Sequence, residues 1–292
     1  MPTHLKLSLN MKITLFFLCL LASLYIKAGN TDSLDVCKYI FTYDYITYTE
    51  DAAGTPVVDS CQWGVMVGEN YTKCSEYNNI MYDEVHNRDY SMQAFHCRKL
   101  NTPTIIIDRK NGTMTILDRI VPQMYIIKDK IPSIKWKMTE SDTININGYS
   151  CKKASCTYAG RKWDVWYTEQ IPVPAGPWKL CGLPGMILKA EDEGTHSFTF
   201  VGLQNVECKM KFGSRLEPQE INSSKFIQKR NKIYCNKQYA KNPRYYIPED
   251  IINNAIEMSP GIGSKKEDSQ TTITKDMIIP KKVNVYKPLE LK

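Results

Sequence analysis

Histidine is scarce in this chain, at four among 292 residues, and no two cysteines stand in CxxC spacing. A structural zinc site therefore has no recognisable template. Equally missing are a calcium-loop pattern and the local signatures of known proteases, hydrolases and transferases. The apolar run ITLFFLCLLASLYI, from Ile13 to Ile26, is too short for a comfortable membrane span. One-signed charge is also lacking, since the formal net charge is only +7. The basic stretch KFIQKRNKIYCNKQYAKNPRYY, from Lys225 to Tyr246, comes nearest to a nucleic-acid stripe. It reads more simply as a solvated helix face, and no nucleic-acid partner, metal or cofactor is expected.

What remains is the composition of a globular protein, 42% hydrophobic and 24% charged. Eighteen tyrosines and five tryptophans suit pleated, half-buried surfaces and favour sheet. The short apolar run follows Met11-Lys12 and precedes Lys27-Ala28-Gly29, so residues 1–28 read as a secretory signal with a possible true start at Met11. Cys19 lies in FFLCLL without the small residue before it that a lipoprotein signal needs, so lipidation is not expected. Removing residues 1–28 takes away Lys6, Lys12 and Lys27, and the charge falls from +7 to +4. The mature chain would keep Cys37, Cys61, Cys74, Cys97, Cys151, Cys156, Cys181, Cys208 and Cys235. In an exported protein these are disulfide candidates, and their odd number leaves at least one unpaired within the chain.

The pattern of residues predicts hairpins almost throughout. CKYIFTYDYITYT, from Cys37 to Thr49, alternates as a half-buried strand does, and SCQWGVMVGENYTKCSEY reads as two strands turning near Gly68 to Asn70. A helix is expected from about Ile80 to Leu100. In TIIIDRKNGTMTILDR the Asn111-Gly112 pair suits a type I′ turn, which would set Ile107 opposite Ile116 and Ile106 opposite Leu117. A second hairpin is expected around Ala159-Gly160, with Ala154 opposite Val165, Cys156 opposite Trp163 and Lys152 opposite Tyr167. Lys153, Ser155, Thr157, Lys162 and Asp164 would then face solvent. Cys156 is expected in the core, and Cys151 on the other face, looking towards a loop cysteine such as Cys181.

The segment EQIPVPAGPWKLCGLPG carries Pro172, Pro174, Pro177 and Pro184, which make it extended and stiff. Leu183-Pro184-Gly185 fits a type II turn with Gly185 at positive φ. The strand MILKAED follows, then a turn at Glu193-Gly194 and the strand HSFTFVGLQNVE. On physical grounds the loop is a rigid corner anchored by Trp178. The competing reading makes it the rim of a binding surface. The acidic run Glu191, Asp192 and Glu193 reads as solvated turn charge.

GPWKLCGLPGMIL, preceded by DVWYTEQIPV, together with IKWKMTESDTININGYSCKKA and the terminal VYKPLELK, closely resembles the GLPGLI family of exported Bacteroidota proteins. Met186 stands where the name-giving motif has Leu. The resemblance covers about Cys37 to Lys292 and implies a periplasmic or outer-membrane-associated protein, working alongside a TonB-dependent outer-membrane transporter or another envelope protein. It carries no catalytic residue across.

The expected architecture is mainly β, an antiparallel curved sheet or open barrel built of hairpins with a few packed helices. It comprises a single β-rich domain over residues 29–246, then a polar linker and a strand-like tail over 247–292 that docks back on its own sheet. The expected function is that of a noncatalytic binding or accessory component of the envelope. Candidate binding residues are Trp178, Cys181, Leu183, Pro184 and Trp166, with Tyr125, Trp136 and Trp163 as further aromatics for a concave surface. A thiol-dependent enzyme, with Cys181 as nucleophile and His196 as base, is the first alternative. An assembly component of the envelope is the second.

Overall fold

In the computed structural model, the described residues are 33–81, 102–120, 123–212, 218–241 and 285–290. The chain opens with the long strand β1 (Ser33–Glu50), then β2 (Pro56–Val67), β3 (Tyr71–Glu76) and one helical turn, α1 (Tyr77–Ile80). β4 (Thr104–Asp108), β5 (Thr113–Ile120) and β6 (Gln123–Lys130) form a meander. β7 (Lys137–Ile146), β8 (Tyr149–Tyr158) and β9 (Arg161–Thr168) form a second. After the proline-rich loop come β10 (Met186–Asp192), β11 (His196–Lys211) and the short β12 (Gln219–Glu220). Two helices follow, α2 (Ser223–Tyr234) and α3 (Lys237–Lys241).

The twelve strands among the described residues join one sheet in the order β12-β6-β5-β4-β3-β2-β1-β11-β10-β9-β8-β7. It is open and curved rather than closed, and every pairing is antiparallel except β12 with β6. Its middle is held by β1, which pairs with β2 on one side and β11 on the other. The main core lies on one face, where Phe41, Tyr43 and Tyr45 of β1 meet Trp63, Trp163 and Phe198. A smaller core lies under α1 on the other face, with Cys37, Ile40, Met66, Ile80 and Met210. Of the helix expected from Ile80 to Leu100 only Ile80, the last residue of α1, and Met81 are described, and residues 82–100 lie outside the described residues. So do the signal segment, residues 1–28, and the linker over 247–284.

The β8–β9 hairpin has the expected register, with Ala154 opposite Val165, Cys156 opposite Trp163 and Lys152 opposite Tyr167. Ala159 and Gly160 both take positive φ, at 55° and 84°, which is the type I′ geometry. The β4–β5 hairpin departs from expectation, because Ile107 faces Met114 and Ile105 faces Ile116. Here Arg109 to Gly112 form a longer loop, and of the Asn-Gly pair only Gly112 has positive φ. The cause is Asp108, whose carboxylate accepts from both the backbone and side-chain nitrogens of Asn111 at 2.9 and 2.7 Å. Arg109 also donates to the carbonyls of Gly68 and Glu69, tying the loop to the neighbouring β2–β3 turn. The slip is by two residues, so every side chain keeps its face.

Candidate functional site

The proline-rich loop from Ile171 to Gly185 folds onto the main core. Ile171 accepts from the backbone of Val173 and Met186, and Ala175 accepts from Ile187 at 2.9 Å, so the loop follows the start of β10. Trp178 takes a φ of 57°, unusual for a bulky side chain, and is only 2% exposed. Its ring packs against Trp163 and Tyr158 at 5.7 and 5.6 Å. The expected type II turn at Pro184-Gly185 is not what requires Gly185, which does not have positive φ. A Cβ there would sit 2.0 Å from the Thr168 carbonyl oxygen. Close approach of the loop to β9 demands the glycine, and positive φ falls on Trp178 and Gly182 instead.

The expected binding residues do not form one surface. Trp178, Cys181 and Leu183 are buried, while Pro184 is exposed. Trp166 lies on the other face of β9 from Trp163, Val165 and Tyr167, with Lys189 over its ring at 4.4 Å and Lys153 at 5.3 Å. Tyr125 and Trp163 are core residues, and half-buried Trp136 donates its indole N–H to the Cys181 carbonyl at 3.0 Å. Three of these aromatics fill the interior instead of lining a ligand surface.

The loop meets α2 and the chain's tail at a buried charged junction. Asn222 caps α2 by accepting from Lys225, and the helix buries Phe226, Ile227, Arg230 and Tyr234. This corrects the reading of KFIQKRNKIY as solvated: Lys225 and Lys232 face solvent, but Arg230 lies on the apolar stripe. The tail segment 285–290 docks alongside, as expected. Val285 donates to Glu50 at 2.8 Å, Tyr286 stacks edge-on with Tyr234, and Leu289 is buried in the core. Lys179 pairs with Glu290 at 2.9 Å, and Arg230 donates to the Glu290 carbonyl at 2.9 Å. Arg230 also approaches Asp118 of β5 at 4.0 Å. Burial pushes the Asp118 carboxyl up to about 6, with Arg230 pulling the other way. Beside these groups is a cavity of about 20 Å³ lined by Ile116, Phe226 and Leu289 among others, room for about one water molecule.

A second polar knot anchors the same tail. Arg161 of β9 donates twice to the Pro288 carbonyl, at 3.0 and 2.6 Å, and pairs with Asp192 at 2.6 Å. The other oxygen of Asp192 accepts from the backbone of Thr195 and His196. Asp192 is therefore a buried structural group, unlike its neighbour Glu193, which pairs with Lys162 in solvent. His196 is buried and shares a hydrogen bond with the Tyr45 hydroxyl at 2.9 Å. Burial first, and Arg161 second, lower its pKa to about 4.

The thiol-enzyme pairing is not assembled in this geometry. The Cys181 thiol is raised by burial to about 11, whereas a nucleophilic thiol needs a lowered value. His196 engages Tyr45. Nor are Cys151 and Cys181 bonded: both are free thiols. Cys151 shares the main core with Cys156 and is not on the opposite face from it. Among the described residues, no group of three or more His, Cys, Asp or Glu side chains could hold a metal ion, and no helix is long and apolar enough to cross a membrane.

An open antiparallel sheet whose inner face is closed by a stiff loop, a helix and the chain's own tail defines a β-sheet module with a structural, tail-sealed junction. The chain belongs to the family described as N-glycanase peptide, N-terminal domain, which it matches over residues 74–228. Among solved structures it is similar to PNGF-II, at 17% identity and a TM-score of 0.46 in one crystal form and 18% and 0.42 in another. The first match covers 66% of this chain and 32% of that one, the second 64% and 32%, so this chain spans about a third of the PNGF-II length. A LolA superfamily protein from Nitrosomonas europaea matches at 9% identity and a TM-score of 0.21, covering 60% of this chain and 87% of its own. Among curated proteins, none matches.

Lys179, Arg230, Asp118 and Glu290 were not legible as a site in the sequence. They come from a loop, a helix, a strand and the tail, and no local spacing links them. The only signal was the alternation of Lys225, Lys229 and Lys232 around an Arg230 that shares its helical face with Phe226 and Tyr234.

Proposed function

We propose that the chain is a noncatalytic binding or accessory module of the cell envelope, exported by its N-terminal segment and of the GLPGLI type. The observation that carries this reading is the state of its most reactive candidates. Cys181 is buried and raised to about 11, and His196 is buried and lowered to about 4, so neither is tuned for chemistry near neutral pH. The charged groups of the inner face are engaged by the tail instead of an open cleft. Work by this module is then a matter of surface contact, with an outer-membrane transporter as the partner class. Crosslinking of the tagged protein in its native envelope, followed by mass spectrometry, tests this. Recovery of such a transporter supports the reading, and recovery of the protein alone refutes the accessory role.

A second reading is favoured by the family description, which ties this domain to N-glycanases. On that reading the module holds a glycan-bearing peptide. Calorimetric titration with an N-glycopeptide and with the same peptide lacking its glycan discriminates the two, because only glycan-dependent heat supports this alternative.

A further inference from the structure

Among the described strands, cysteine faces cysteine at one place: Cys37 of β1 lies directly opposite Cys208 of β11. Opposed residues of an antiparallel pair point to the same face, with Cα atoms about 4.5–5.5 Å apart. A disulfide spans about 4.4–6.8 Å between Cα atoms, so the backbone already has the separation the bond requires. The Cys37 thiol donates to the Tyr39 carbonyl at 3.2 Å and has the Cys208 thiol as its strongest neighbour. Cys37 is fully buried among Ile40, Met66, Ile80 and Met210, while Cys208 sits half-buried at the edge of that cluster. A register shift immediately after Cys37 supplies local freedom to adjust the strand. The other described strand cysteines lie opposite residues of other types: Cys61 faces Tyr45, Cys74 faces Val65 and Ile105, Cys151 faces Ile144 and Cys156 faces Trp163.

We propose that Cys37 and Cys208 are a disulfide-forming pair, closed by exchange with an oxidised dithiol protein in the compartment to which the chain is exported. The supply of that oxidant rests on the export reading above; the geometry of the pair does not. Half-buried Cys208 is the entry point. Its thiolate attacks one sulfur of the oxidant's disulfide, forming a mixed disulfide and releasing one oxidant thiolate. Cys37 then loses its proton and attacks the Cys208 sulfur, displacing the second oxidant thiolate. Two thiols are oxidised, one disulfide is reduced, and the two protons end on the oxidant's sulfurs. The bond would fasten β1 to β11 and close a loop holding most of the sheet, the situation in which restricting the unfolded chain has its largest effect.

The test oxidises the reduced full chain with glutathione disulfide, alkylates remaining thiols and maps non-reduced peptides by mass spectrometry. The expected result is the Cys37 peptide joined to the Cys208 peptide, with a melting temperature raised on the order of ten degrees over the reduced form. Cys208→Ser should abolish both the linked peptide and the shift, while Cys235→Ser should keep them. Recovery of both peptides alkylated, from protein whose circular dichroism shows the sheet intact, overturns the proposal, as does Cys37 joined to any other cysteine. The same mapping on protein taken from its native envelope separates the two readings. A bond made by glutathione but absent in the cell counts against export, and absence in both counts against the pair itself.

Discussion

The tail is held at two places, and the two hold it differently. At Pro288 both charged groups of the knot have defined partners: Arg161 spans the Pro288 carbonyl and Asp192, and Asp192 also accepts two backbone N–H groups. At Glu290 the charges balance, but less tightly. Lys179 and Glu290 are close at 2.9 Å, whereas Arg230 and Asp118 are at 4.0 Å beside a small cavity. A buried charge is tolerated only as far as its partners replace water. The first knot does this by hydrogen bonds of good length, and the second does it partly through the higher proton affinity of Asp118. The same tail thus has one anchor whose charges are met by hydrogen bonds and one whose balance includes a carboxyl that holds its proton more tightly than usual.

Breaking the wall beside the Glu290 anchor gives the largest expected effect. Trp178 is packed on Trp163 and Tyr158 and lines the cavity near Lys179. Trp178→Ala should cost about 3–5 kcal/mol by loss of burial and creation of a void. Urea unfolding measures it. A loss under about 1 kcal/mol would mean that the loop does not depend on this anchor and would revive the reading of Trp178 as a ligand contact.

The contrast between the anchors can be sharpened by pH. His196, with a folded pKa of about 4 against an ordinary value of 6.5, binds more protons when unfolded, so its contribution to stability is lost as pH falls from about 6.5 to 4. Asp118 has a folded pKa of about 6 against 3.8 and binds more protons when folded. Its contribution grows as pH falls through that window and is lost as pH rises through 6. The two oppose one another, and the natural chain should change little between pH 6.5 and 4. Asp118→Asn removes one side of the balance and should lose about 3 kcal/mol on acidification across that range, whereas His196→Gln should gain about as much. The lowered carboxyls of Asp35 and Asp108 act below the window. Parallel slopes for the two variants would show that the anchors do not titrate as described.

Arg161→Gln comes next. It removes the pairing with Asp192 and both hydrogen bonds to Pro288, but Asp192 keeps its two backbone donors. That residual satisfaction should hold the cost to about 2–3 kcal/mol. Hydrogen exchange should rise first in the tail, at Val285 and Tyr286, whose amides bond Glu50 and Tyr234. Uniform exchange across the whole sheet would mean that the tail is not a separable unit.

How far the sequence discloses such features depends on whether the deciding contact is local. The β8–β9 register follows from Ala159-Gly160, because the turn chemistry and the alternation of Ala154, Cys156, Trp163 and Val165 agree. In β4–β5 the same kind of turn signal is overruled by Asp108 and by Arg109 reaching the β2–β3 turn, a contact with residues some forty positions away. The rigid corner at Trp178 is legible from its prolines, yet the reason for Gly185 is the backbone of Thr168 on the adjacent strand. The proposed export and partner class rest on motif resemblance and on the leader-like N-terminal sequence, which no packing argument reaches. The charged junction fails for a related reason: helix periodicity could place Arg230 among Phe226 and Tyr234, but nothing in the sequence brings Glu290 back to meet it.

The smallest effect belongs to the Lys179–Glu290 pair, and it decides whether the Glu290 anchor is a specific bond or a general balance of charge. Lys179 is nearly buried and Glu290 mostly so, with side-chain exposures of 4% and 15%. Lys179→Met and Glu290→Gln should each cost about 1–2 kcal/mol, and the double variant should cost less than their sum by about 1 kcal/mol. Additive losses would mean that each side chain answers to the whole cluster, with Arg230 and Asp118 absorbing the missing charge. In that case Glu290→Gln should lower the proton affinity of Asp118 and Lys179→Met should raise it, because removing a nearby negative charge favours the Asp118 carboxylate and removing a positive one disfavours it. Chemical-shift titration of Asp118 in the two variants should therefore move its midpoint down in Glu290→Gln and up in Lys179→Met. Midpoints that move together would show that the loose anchor is sealed from the tail's charge altogether.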